Sequence, residues 1–220
     1  MLMVFYIQIP AQQDSVFQLP LFKQYVSETT HQEVATYKNK RVALRRLIGE
    51  ASTHYILQQF FQQEKAAYQI ARSTTGKPYL EGIAQLFYNL SHSGDWLVLA
   101  FSDREVGIDI EKRGKVRLEI AKRFFHPQEW EFLQNSEQAT QFYNLWAIKE
   151  SFLKYTGQGL RRPLNSFQVQ QTRNRYTLHE DARQLPLYIY ECHIDEQYAC
   201  FVCSETPEAP SFHEIRLEDL

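Results

Sequence analysis

Two long runs of helical hydrophobic periodicity govern what this chain can become. Between Lys38 and Phe61, the residues Leu44, Leu47, Ile48, Ala51, Tyr55 and Ile56 recur at helical spacing. Between Gln138 and Thr156, Phe142, Leu145, Trp146, Ile148, Phe152 and Leu153 do the same, and Gly157 stops the run. Each run precedes several short strand-like segments. LFYNLS, WLVLAFS and VGIDIE follow the first, joined by turn-like residues His92 to Asp95 and Asp103 to Glu105, which predicts an antiparallel meander. SFQVQQ, YTLHE, LPLYIYECHI and YACFVCS follow the second. MVFYIQI reads as a first strand, residues 20–26 and Leu118 to Arg123 as short helices, and Gly76-Lys77-Pro78-Tyr79 as a turn. His126-Pro127-Gln128-Glu129 reads as a helix start, with Pro at the first helical position and Glu in the first turn. The two parts of the chain therefore share an outline, helix first and strands after, without a visible sequence repeat.

At 220 residues with 44% hydrophobic residues, the chain can bury a sizeable core as one large domain or two small ones. A formal charge of −2 supplies no global basic field, so neither nucleic acid nor a membrane surface is expected as a partner. The N-terminal MLMVFYIQIP lacks a basic segment and is interrupted by Gln8 and Pro10, so it reads as a strand and not as a signal peptide. The three cysteines, Cys192, Cys200 and Cys203, are an odd and sparse set that fits a reducing cytosol, and a cytoplasmic location is expected. Cys200 and Cys203 form a CxxC, but residues three apart on a strand face opposite ways, which argues against a shared zinc ion.

The chemistry-bearing residues lie in two short stretches. In VGIDIEK, Asp109 and Glu111 are two apart and share one face of a strand, while Ile108 and Ile110 take the other. In LWAIKESFLKYTG, Glu150 stands between Lys149 and Lys154, with Trp146 on its own face. Each has an ordinary reading as well: a solvated strand face for the first, an i,i+4 ion pair for the second. Glu129 fits either a dipole-favoured first-turn acid or a third oxygen ligand. Hard-cation ligands beside lysines point to Mg²⁺-dependent chemistry on a phosphate ester or anhydride. Ser91-His92-Ser93, in a turn, can bind phosphate or simply build the turn. Lys38, Lys40, Arg41, Arg45 and Arg46 make a basic helix start, and Lys112 to Arg123 carries six basic residues against one acid.

In order along the chain, Gly76-Lys77-Pro78, FYNLSHSGD, VGIDIEK, Phe125 to Glu129 and WAIKESFLKYTGQGL resemble the 4′-phosphopantetheinyl transferase superfamily, in its larger, two-half, monomeric type. The resemblance spans residues 76–160; RRLIG around Arg45 extends it loosely. It implies an α+β fold of two similar halves, residues 1–103 and 104–220, each a long helix on a small mainly antiparallel sheet, with the active site in the cleft between them. It implies transfer of 4′-phosphopantetheine from coenzyme A to a serine of an apo acyl or peptidyl carrier protein, releasing adenosine 3′,5′-bisphosphate. Carried over, Asp109, Glu111 and Glu129 become ligands of Mg²⁺, with Mn²⁺ a possible substitute. Lys149, Lys154 and His92 become pyrophosphate contacts. Ser91, Lys77-Pro78 and Arg45, with Lys40 or Arg41 beside them, become contacts to the 3′-phosphate and adenosine side. Glu150 becomes the candidate base, directly or through a water, and acts with Asp109 and Lys154 in catalysis. Arg113, Lys115 and Arg117 mark an expected docking surface for an acidic carrier. The alternatives are a Mg²⁺-dependent nuclease or phosphohydrolase, which would show salt-sensitive nucleic-acid binding, and a non-catalytic coenzyme A-binding protein, which the full set of acids disfavours.

Overall fold

A computed structural model describes residues 1–10, 20–116, 118–135, 138–173 and 175–218. The first part of the chain runs β1 (Leu2–Gln8), α1 (Pro20–Tyr25), α2 (Glu28–Ala35), α3 (Lys40–Phe61), β2 (Gln69–Arg72), β3 (Pro78–Glu81), β4 (Phe87–Ser93) and β5 (Trp96–Ser102). The second runs β6 (Val106–Lys112), α4 (Leu118–Phe124), α5 (Pro127–Gln134), α6 (Gln138–Thr156), β7 (Gln168–Thr172), β8 (Arg175–Glu180), β9 (Arg183–Gln184), β10 (Tyr188–Glu191), β11 (Tyr198–Ser204) and β12 (Ser211–Glu214). The class is α+β. One sheet has the order β12-β1-β5-β4, another β10-β11-β6, and β2-β3 and β7-β8-β9 form two smaller sheets. Among the described residues no helix is long and apolar enough to cross a membrane.

Three hydrophobic cores explain the layering. Helix α3 lays Leu44, Leu47, Ile48 and Ile56 on Phe5, Ile7, Leu97, Leu99 and Phe101, one face of the four-stranded sheet. Helix α6 lays Leu145, Ile148, Phe152 and Leu153 on Ala199, Phe201 and Cys203, one face of the three-stranded sheet. The other faces of the two sheets meet each other through Val4, Val98 and Ala100 on one side and Val106, Ile108, Ile110 and Val202 on the other. A strand buried on both faces reads as continuously apolar, and β5 and β11 are buried at every position. Cys200 belongs to the inter-sheet core and Cys203 to the core under α6, so the CxxC sulfurs do take opposite faces, and all three cysteines are free and buried.

The expected meander is half right. β4 and β5 form a hairpin in register from Phe87↔Ser102 to Ser93↔Trp96. β6 does not pair with β5. It crosses to the other sheet and pairs antiparallel with β11, with Asp109 opposite Phe201. Its remaining edge lies along β4, where side chains stand in for a backbone ladder. The Ile108 amide donates to Asn89 Oδ1 at 3.0 Å, and the Lys112 amide to Ser93 Oγ at 3.0 Å. Buried backbone groups need such partners, and β4 supplies them from alternate residues of one strand face. The Gly76-Pro78 turn lies at the tip of the β2-β3 hairpin, which the sequence reading did not contain, and β12 returns to pair in parallel with β1.

The VGIDIEK segment is now legible position by position. Val106, Ile108 and Ile110 enter the inter-sheet core. Gly107, Asp109 and Glu111 face α6. A Cβ at Gly107 would lie 2.1 Å from the Ser151 carbonyl oxygen and 2.3 Å from the Tyr155 amide nitrogen, groups four residues apart on that helix. Glycine is what lets α6 settle directly on β6. Gly107→Ala should therefore lower stability by about 1–3 kcal/mol through overpacking against backbone. Urea unfolding checks this, and an unchanged midpoint would contradict the close approach.

Candidate active site

Trp146, Glu150 and Lys154 are spaced by four residues and form one stripe on α6. That stripe faces Asp109 and Glu111 of β6 and Leu90, Ser91 and His92 of β4, and the eight residues line a pocket of about 340 Å³. The pocket thus draws on both long-helix units. Asp109 is buried at 4% exposure. Its Oδ1 accepts from Lys154 Nζ at 2.7 Å and from Ser91 Oγ at 2.8 Å, and Lys154 Nζ also donates to Ser91 Oγ at 2.7 Å and to the Ile108 carbonyl at 3.1 Å. Ser93, two residues on from Ser91 and so on the same strand face, donates to Glu111 Oε2 at 3.1 Å.

The electrostatics of the pocket are those of crowded acids. Glu150 is pushed up to about 7 by burial first and by the Asp109 charge second, against a smaller lowering by Lys154. Glu111 is also raised, by burial and then by Asp109. Asp109 Oδ2 is buried without a hydrogen-bond partner among the described residues. Three neighbouring carboxylates, two of them raised by burial and by the Asp109 charge and the third with an orphaned oxygen among the described residues, are a donor set suited to a divalent hard cation. Among the described residues no three His, Cys, Asp or Glu side chains stand preassembled around one ion position, so a cation would have to draw these together. His92 at the rim is lowered, by burial of its ring and then by the Arg45 charge.

Leu90 and His92 also line a neighbouring cleft of about 660 Å³, walled by Arg45 and Arg46 of α3 and by Arg72 and Pro78 of the β2-β3 hairpin. Arg45 Nη2 donates to the Gly94 carbonyl at 2.7 Å, and its Nε is buried without a partner among the described residues. Arg41 bonds the same carbonyl at 2.8 Å and the Asp95 carboxylate, which Lys112 reaches at 3.0 Å from the other side. Together they hold Asp95 at about 2.

Four residues expected at the phosphates or the metal lie elsewhere. Lys149 is fully buried, and Glu129 is 2% exposed. They pair at 2.8 Å on the far side of α6 from the pocket. Lys149 also donates to the carbonyls of Leu164 and Phe167, while Glu129 accepts from the amides of Val169 and His126. Glu129 closes a capping box with His126, so its first-turn role is the one the structure displays. Lys77 Nζ is occupied by Glu105 Oε2 at 2.6 Å and the Tyr155 carbonyl at 2.8 Å. Lys40 is exposed on α3 and does not line the cleft. Conversely, Arg72 was missed, because it lies in a short strand with no local signal. Ser93, read with Ser91 and His92 as part of a turn, lies instead on β4, where the strand period puts it on the face of Ser91.

The pattern of the 4′-phosphopantetheinyl transferase superfamily matches residues 105–203, and that of the N-terminal part of 4′-phosphopantetheinyl transferase matches residues 13–104. The chain is 34% identical over 200 residues to 4′-phosphopantetheinyl transferase Sfp of Bacillus subtilis (strain 168), covering 86% of each. It is 33% identical over 216 residues to 4′-phosphopantetheinyl transferase ffp of Bacillus subtilis, covering 93% of this chain and 92% of the relative. It is 34% identical over 182 residues to 4′-phosphopantetheinyl transferase gsp of Aneurinibacillus migulanus, covering 81% and 76%. The chain belongs to the 4′-phosphopantetheinyl transferase superfamily.

Proposed function

We propose that this chain transfers 4′-phosphopantetheine from coenzyme A to a serine of an apo acyl or peptidyl carrier protein, using a divalent cation, with Mg²⁺ first in line and Mn²⁺ a substitute. The observation that carries the reading is the joining of an acid-lined pocket to an arginine-walled cleft through His92. A nucleotide end rich in phosphate suits the cleft, and a pyrophosphate leading out of it arrives at Lys154. Asp109, Glu111 and Glu150 would hold the cation. When bound, it would offset the charge of the pyrophosphate and stabilise the leaving phosphate.

The chain's own residues do the rest. Arg45, with Arg46 and Arg72 nearby, meets the nucleotide phosphates. Lys154 moves from Asp109 and Ser91 to the pyrophosphate, where its charge favours departure of the bisphosphate. Glu150 takes the proton from the carrier serine hydroxyl, directly or through a water, as the hydroxyl oxygen forms its bond to the β-phosphorus. A carboxylate lining the pocket beside Lys154 suits that task. Glu150→Gln should cut kcat by roughly 10²–10⁴-fold while the Kd for coenzyme A, measured by calorimetry, stays near wild type. Full turnover of this variant would remove Glu150 from the chemistry.

The exposed residues Lys115, Lys122, Arg123 and Phe124 follow the metal strand, with Arg123 stacked 5.1 Å over the Phe124 ring. They offer an acidic carrier helix both charge and apolar contact. Arg113 of the expected docking set is turned inward to the Thr140 carbonyl and Asn144, and Arg117 lies outside the described residues. Lys115→Glu with Lys122→Glu should raise KM for the carrier about tenfold and leave KM for coenzyme A unchanged. The decisive assay incubates the protein with coenzyme A, Mg²⁺ and apo carriers and weighs the carriers. A gain of one phosphopantetheine supports the reading, and no gain across fatty-acid, polyketide and peptide-synthetase carriers overturns it. The protein is proposed to act as a cytoplasmic monomer.

A further inference from the structure

Lys77 has a job that the phosphate reading does not give it. It lies where the β2-β3 hairpin tip closes: the Ser73 amide donates to the Lys77 carbonyl at 2.9 Å, and the Lys77 amide to Ser73 Oγ at 3.1 Å. From that fixed base the side chain crosses to the other half of the molecule. Its ammonium lies 2.8 Å from the Tyr155 carbonyl in the last turn of α6 and 2.6 Å from Glu105, just before β6. A cation at helix C-terminal carbonyls is favourable, because those carbonyls have no partner within the helix. Gly157, at φ +69° where α6 stops, leaves room for the lysine stem: a Cβ there would lie 3.2 Å from Lys77 Cδ. The side chain is only 16% exposed, so it is packed and not merely resting on the surface.

The position of both ends matters. The same hairpin contributes Gln69, Ile70, Arg72 and Pro78 to the 660 Å³ cleft. Tyr155 is the residue after Lys154, and Glu105 lies four before Asp109. One side chain therefore joins the wall of the nucleotide-sized cleft to the turn that carries the pocket lysine and to the strand that carries the pocket acids. We propose that Lys77 is a positioning residue whose ammonium, held away from the ligand, couples occupancy of this cleft to the last turn of α6, and thereby to the placement of Lys154. The coupling rests on coenzyme A being the cleft's ligand.

A direct phosphate contact and a clasp predict opposite splits of the kinetics. For Lys77→Met, the clasp predicts that kcat falls by about 10–100-fold, the scale of a small misplacement at a reaction centre, while the Kd for coenzyme A stays within about twofold. Lys77→Arg, able to reach both oxygens, should recover most of kcat. Hydrogen exchange supplies a readout that stability alone would not move. Coenzyme A should slow exchange at amides 152–157 in the wild type and leave them unchanged in Lys77→Met, both measured well below their unfolding temperatures. A Kd for coenzyme A raised tenfold or more in Lys77→Met, with that for 3′-dephospho-coenzyme A unaltered, would make Lys77 a phosphate ligand and overturn the clasp. So would equal protection of α6 in both proteins. Wild-type protein that binds no coenzyme A by calorimetry would overturn the functional reading and the coupling together. Binding without any change at α6 would overturn the coupling alone.

Discussion

Lys149→Met should cost about 3–5 kcal/mol of folding stability, the range for breaking a buried ion pair by removing one partner. In a chain of this size that corresponds to a fall of roughly 6–20 °C in Tm. Both charges are sealed from water, and burial alone pushes Lys149 down and Glu129 up, towards their neutral forms. Each offsets part of that push on the other across 2.8 Å. The remaining hydrogen-bonding capacity is also taken, Lys149 by the Leu164 and Phe167 carbonyls and the Phe167 ring, Glu129 by the Val169 and His126 amides. Removing the ammonium leaves a carboxylate in an apolar core with only two amides. Adding Glu129→Gln should recover part of the loss, because the amide oxygen keeps one backbone bond without a charge to bury. Had Lys149 met the pyrophosphate, the substitution would raise KM for coenzyme A in a protein of normal stability. Urea unfolding beside a coenzyme A titration separates the two results.

The helix phase already held that distinction. On an α-helix, residues 150 and 154 lie roughly 40° apart around the axis, whereas 149 and 154 lie roughly 140° apart. Lys149 and Lys154 therefore could not share a pocket face, although their charges look equivalent in the sequence. Glu129 was legible in the same way, as the acid of a capping box in His126-Pro127-Gln128-Glu129. Asp109 and Glu111 were legible because a strand's period of two is strict, and Glu150 with Lys154 because i,i+4 is the helical equivalent. What local pattern could not carry was partnership between distant segments. The alternation in VGIDIEK is the same whether that strand continues a meander beside WLVLAFS or crosses to YACFVCS, and only the packing of two sheets back to back decides it. The fate of Lys77 depends likewise on where α6 ends in space, 78 residues later in the chain.

Asp109→Asn should reduce kcat/KM by about 10²–10³-fold, the scale of losing a preorganised group at a reaction centre, while the fold survives. The Asn oxygen can still accept from Ser91 and Lys154, and the new amide would replace Oδ2, which has no hydrogen-bond partner among the described residues. The lost charge has a second consequence that needs no turnover assay. Asp109 is one of the groups that hold Glu150 at about 7, so its neutralisation lets Glu150 fall towards its ordinary value. A carboxylate raised in the folded protein contributes stability below its unfolded pKa, and that contribution is lost as pH rises through the folded value. Without a cation, wild-type stability should therefore decline between about pH 4.5 and 7 from this group, and Asp109→Asn should decline less over that window. A divalent cation reverses the balance, since it binds the ionised acids of the folded state and stabilises it by mass action. Mg²⁺ should accordingly raise the wild-type Tm more at about pH 8 than at about pH 6, where protons compete for Glu150. The shift should largely vanish in Asp109→Asn. A Mg²⁺-induced shift independent of pH, or one retained in full by that variant, would place the cation away from these three carboxylates.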